Sequence, residues 1–136
     1  MFGMVNFLTY TVMYGYLGGD ALNGGHGRFT DAGGTEQTGY YISGHFLHGS
    51  RGQSTGVPRW VWIYSYLHST SIWPTAGVMM ISMIVLARPH IIATMSESNW
   101  IQGPTFVAVS ITLIAVFSAF LSVWLLMGFV RHMIDT

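Results

Sequence analysis

The chain predicts an all-α integral membrane protein with three transmembrane helices, at about residues 1–18, 59–88 and 105–132. Three observations support this. The 136 residues are 51% hydrophobic and only 7% charged, whereas a soluble domain carries roughly 25% charged residues and needs them to cover its surface. The 26 residues from Thr105 to Val130 contain no charge at all, enough for a helix to cross a bilayer. Twelve of the seventeen glycines fall between Gly18 and Gly56, so one long Gly-rich segment, 18–57, separates the apolar stretches of a single membrane domain, 1–136.

The first apolar stretch, Met1 to Leu17, has no basic leader and no small-x-small cleavage pattern before Gly18 and Gly19, so it reads as a retained, short spanning helix rather than a secretory signal. Tyr10, Tyr14 and Tyr16 also suit an interfacial helix. The Gly-rich segment that follows reads as an extramembrane loop, because irregular backbone cannot lie in lipid uncovered. Within it, the aromatic run Gly39 to His48 suggests a strand or hairpin arm, and Asn23-Gly24 suggests a turn.

Pro58, after Ser54 and Thr55, marks a helix start. The second helix opens on a girdle of Trp60, Trp62, Tyr64 and Tyr66, is expected to kink near Pro74, and stops at Arg88-Pro89. A second loop, about His90 to Pro104, carries Trp100. In the third helix, Thr105, Ala108, Thr112, Ala115, Ala119 and Ser122 recur at spacings of 3 and 4 and form a stripe of small residues. Such a stripe lets a second helix approach closely, either within the chain or across a subunit interface.

Three spans place the long loop and the C-terminus on one side and Met1 with the 90–104 loop on the other. Arg28, Arg51, Arg59 and Arg131 then share the first side, with Arg88 opposite, so the positive-inside rule puts that side in the cytoplasm. His26, His45, His48, His68 and His132 gather there too, leaving His90 across the bilayer. This histidine-rich face suggests two kinds of ligand. His45-x-x-His48 with His26 has the donor type for zinc or copper. His68 and His132, at similar depth on neighbouring helices, suit a haem or a chlorophyll-type pigment.

Other functions lack equipment. The zero net charge and scattered arginines leave no basic stripe for nucleic acid. Without cysteine there is no disulfide, thiolate or Fe–S ligation. The acids Asp20, Asp31, Glu36, Glu97 and Asp135 fall in loops or at the terminus, where they read as solvated, and no nucleophile has a base beside it. The segment Gly128 to Asp135 partly resembles the Gly-x-Arg-His…Asp signature of the haem-anchoring cytochrome b subunits of succinate dehydrogenase. Its spacings differ by one residue on each side of Arg131-His132, and Trp124 stands where a ligating histidine belongs, so no haem or quinone function follows.

The expected function is therefore that of a small polytopic accessory or structural subunit, with membrane lipid and other membrane-protein subunits, or further copies of itself, as partners. The alternatives are a His-ligated metal or tetrapyrrole subunit of a redox or photosynthetic complex, a homo-oligomeric pore, or a pH-sensing membrane protein.

Overall fold

The computed structural model describes residues 1–45, 52–96 and 100–134. Among the described residues are three helices, α1 (Phe2–Leu17), α2 (Arg59–Thr94) and α3 (Gly103–Ile134), and three strands, β1 (Asp20–Thr30), β2 (Glu36–Ser43) and β3 (Ser54–Gly56). The all-α, three-span reading is thus corrected on two counts. The Gly-rich segment builds an antiparallel sheet in the order β1-β2-β3, and among the described residues only α2 and α3 are long and apolar enough to cross a membrane. At 16 residues α1 is about 24 Å long, short of the roughly 30 Å hydrocarbon layer, whereas α2 and α3 extend about 54 and 48 Å.

The sheet is specified by its turn and its docking rather than by alternating hydrophobic residues. Asp31 organises the hairpin: its Oδ1 accepts from the backbone N–H groups of Gly33 and Thr35, each at 2.9 Å, and its Oδ2 from the Gln37 amide at 2.9 Å. Such Asx bonding imitates a backbone turn. From there the strands zip in register, with Thr30 opposite Glu36, Arg28 opposite Thr38 and His26 opposite Tyr40. Gly27 and Gly39 face each other at φ 156° and 157°, an extended region open to glycine but strained for other residues. The turn lies beyond the expected Asn23-Gly24, which instead falls in an irregularity of β1 where the register shifts between Asp20 and Gly25. The expected aromatic arm is present in part, since Gly39 to Ser43 belong to β2.

One end of α2 anchors everything. Trp62, fully buried, and Tyr66 join Ala21 of β1 and Ile42 of β2 in a core that Tyr40, Val57, Phe129 and Met133 extend. The Trp62 ring packs against Tyr40, Tyr66 and Phe129 with centroids 5.5, 5.2 and 6.1 Å away. The helix α2 starts at Pro58 as expected, with Pro58 itself at the N-cap and Ser54 and Thr55 in β3. Pro89 does not end it: the helix runs through both Pro74 and Pro89 to Thr94, so His90 lies in the helix and not in a loop. A proline removes only one N–H donor, and the turns on either side of Pro89 remain helical.

The seam between α2 and α3 is tight. A Cβ on Gly77 would sit 2.6 Å from Ser118 Oγ, one on Gly103 would sit 2.8 Å from Ile92 Cα, and one on Gly128 would sit 2.8 Å from the Tyr66 hydroxyl oxygen. Ser118 Oγ donates to the Trp73 carbonyl at 3.1 Å, beside Pro74. Close approach through small residues, with hydroxyls serving backbone acceptors, is how helices pack where lipid supplies no hydrophobic drive.

Candidate functional site

The most concentrated polar chemistry lies where α1, the start of β1 and the first turns of α2 meet. Gly18 makes this junction by reversing the chain: it takes the left-handed conformation, φ 77°, at the end of α1, which glycine does without a Cβ penalty. The turn brings Asp20 back onto α1. There the Tyr10 hydroxyl donates to Asp20 Oδ2 at 2.7 Å, and Asn23 donates to Oδ1 from its backbone N–H and side-chain amide, at 3.1 and 2.8 Å. Beside it the Ala21 N–H donates to Ser65 Oγ at 3.1 Å and ties β1 to α2. Asp20 is only 3% exposed, which corrects the reading of this acid as a solvated loop carboxylate.

Burial first, and then the hydrogen bond to Asp20 and the negative charge of its carboxylate, raise the Tyr10 phenol above its ordinary acidity range. Tyr10 therefore holds its proton and serves as a fixed donor to the carboxylate.

From this junction polar groups continue along the α1–α2 contact. His68 stands edge-on to Tyr10, with ring centroids 5.9 Å apart. Its Nδ1 is 3.0 Å from the Tyr64 hydroxyl and its Nε2 is 3.4 Å from the Asn6 carbonyl. The Asn6 amide then reaches Ser71 Oγ and Thr75 Oγ1, both at 3.2 Å. A cavity of about 10 Å³ lies at the head of this line, among Tyr10, Asp20, Tyr64, Ser65, His68 and Ser69. At its foot an apolar groove of about 510 Å³ opens between Met1, Pro74, Met79 and Ser82.

The described histidines expected on the loop side do not converge on a common site. His68 faces α1, while His132 packs edge-on to Trp62 and Tyr66, at 5.7 and 6.5 Å. Residues 62 and 66 lie about 200° round the helix from 64 and 68, so α2 separates the two imidazoles paired in the sequence reading. His26 is exposed on the sheet, its ring 4.6 Å from Tyr40. The backbone N–H of His45 donates to the Tyr14 hydroxyl. His48 and Arg51 lie outside the described residues. Among the described residues no group of three or more His, Asp or Glu side chains comes together to hold a metal ion.

The small-residue stripe is also placed differently from the seam. Thr105, Ala108, Thr112, Ala115 and Ala119 are exposed and Ser122 is half-buried, whereas Gly103, Val107 and Ser118 face α2. Both rows have nearly the same spacing and differ by a rotation about the helix. The sequence signal that finds the true seam is the pair of glycines, Gly103 and Gly128, at the two ends of α3.

Comparison with known proteins yields no match: no family model fits the chain, and no curated protein or solved structure is significantly similar to it. Nothing in the fold or in these comparisons identifies an accessory subunit, and the small sheet with two candidate spans replaces the three-span description.

Proposed function

We propose that the chain is a bilayer-embedded protein that works by association: α2 and α3 form a helical hairpin in the membrane, and the sheet is presented at one surface for recognition. The observation that carries this reading is the contrast between the two parts. Only 6% of the most apolar 18-residue stretch of α2, and 6% of that of α3, is buried within the chain, so Leu86, Leu113, Phe117 and Phe120, all more than 60% exposed, need lipid or another protein to cover them. The sheet at one end, by contrast, is ordered and docked. Arg28, Arg59 and Arg131 belong to that end and Arg88 to the other, which supports a cytoplasmic sheet. The exposed row Ala108, Thr112, Ala115 and Ala119 supports a further helix, from a partner or a second copy, as the associating group.

Because the chain has no cysteine, Ala115→Cys and Val116→Cys give single reporters on two faces of α3. The reading expects the protein to stay in the membrane pellet after alkaline carbonate extraction, and the Ala115→Cys variant to cross-link through its one thiol to a defined species in native membranes. Release by carbonate, or a monomer that cross-links from neither position, would overturn it.

A further inference from the structure

We propose that the small cavity between α1, β1 and α2 binds a single small monovalent cation, of about sodium size, with the Asp20 carboxylate as its charge partner. The argument begins with the charge. Asp20 is 3% exposed, and a carboxylate withdrawn from water is costly unless a cation or several donors compensate it. Among the described residues its partners are the neutral donors of Tyr10 and Asn23, which occupy three acceptor positions. A carboxylate has about four. One acceptor site is left over, and no cationic group stands among these partners.

The second observation is Ser69. Ser71, Thr75, Ser82, Thr94, Thr112 and Ser122 all return their hydroxyls to carbonyls of their own helix, the usual resort of a hydroxyl in an apolar helix. Ser69 and Thr70, 2% and 5% exposed, do not: neither hydroxyl has a hydrogen-bond partner, and of the two Ser69 lines the same cavity as Asp20. The Tyr10 hydroxyl that donates to Asp20 belongs to a residue lining the same cavity.

The third is the chemistry of the lining. Besides Asp20 and Ser69, the polar side chains there are the hydroxyls of Tyr10, Tyr14, Tyr64 and Ser65, and His68. The His68 nitrogens are already directed at the Tyr64 hydroxyl and the Asn6 carbonyl. Beside the apolar Met13 and Leu17, the oxygens of Asp20 and Ser69 are the groups offered to a ligand; oxygen suits a hard cation, and about 10 Å³ is room for one particle the size of a water molecule. A water would meet the free acceptor but leave the charge; a monovalent ion meets both. The proposal concerns the junction alone and does not rest on the association reading.

The test is thermal unfolding of the full chain in mild detergent, in sodium, potassium or choline chloride at constant ionic strength. Sodium is expected to raise the Tm saturably, by at least about 4 °C over choline at high occupancy, with a smaller response to potassium. Asp20→Asn should abolish the rise, and Ser69→Ala should weaken the apparent sodium affinity at least tenfold while keeping the far-UV spectrum. Should Asp20→Asn fail to fold, Ser69→Ala carries the test. Equal Tm in all three salts, or an undiminished sodium response in Ser69→Ala, would overturn the proposal and leave the cavity to water.

Discussion

The sheet end and the far end of the helical hairpin are held by different physics, although α2 runs through both. At the sheet end a large aromatic, Trp62, is enclosed by strands and helices, and Asp20, Ser65 and Ser69 are buried with it. At the far end almost nothing is buried; Gly103 against Ile92 and Gly77 against Ser118 hold two backbones close, while Leu86, Leu113 and Phe117 point outward. The first end is built as water-soluble domains are, by removing apolar surface from solvent. The second has little to gain that way, since lipid covers apolar surface as well as protein does. One helix therefore carries two sets of tolerances, and substitutions should tell them apart.

The largest effect is expected at Trp62. Trp62→Ala removes the ring on which Tyr40, Tyr66 and Phe129 converge and should cost about 3–5 kcal/mol. Limited proteolysis should then cut β1 and β2 quickly while α2 and α3 stay protected; equal loss of both parts would mean that the two ends are not separable. Next comes Gly103→Ala, where the added methyl meets the backbone of Ile92 and not a flexible side-chain end. It should destabilise the hairpin by about 1–3 kcal/mol, seen as faster unfolding in denaturing detergent with the sheet's near-UV signal lost no earlier than the helical signal.

The smallest is Tyr10→Phe, which deletes a hydrogen bond to a carboxylate and should cost about 1.5 kcal/mol near neutral pH. The sign of its pH dependence follows from the raised pKa of Tyr10. The folded state favours protonated Tyr10, so its contribution is fully present below the unfolded value of about 10 and is lost as pH rises above it. The Tm advantage of the natural chain over the variant should therefore hold from pH 8 to about 10 and shrink beyond, and an advantage that grows with pH would contradict the Tyr10–Asp20 pairing.

How much of this was legible in the sequence depended on whether the signal was local. The uncharged run Thr105 to Val130 and the start at Pro58 depend on a few neighbouring residues, and α3 and α2 form where they predict. Pro89 is a poor stop signal here because the helix continues past a single lost donor to Thr94. The sheet was hidden because β1, with Asn23, Gly24, Gly25 and Gly27 at its centre, has neither alternation nor strand-favouring composition; its stability comes from Asp31 at the turn and from docking onto Trp62. The stripe on α3 shows a different limit: spacing gives the period of a contact face but not its phase, and only Gly103 and Gly128 fix which side meets α2. Nothing local to Asp20 signals its burial, which follows from Gly18 folding it back onto Tyr10.

The placement of α1 has a consequence for how the molecule comes into being. Ribosomes make α1 before α2, yet it is the least self-sufficient element: the side-chain partners of Asn6 are Ser71 and Thr75, and Tyr10 rests on His68 and Asp20. Until the chain has grown past Thr75, the Asn6 amide has none of those acceptors, and a helix of 16 residues is too short to settle across a bilayer by itself. This early-made segment must therefore wait for α2, and its docking reports that α2 is already in place.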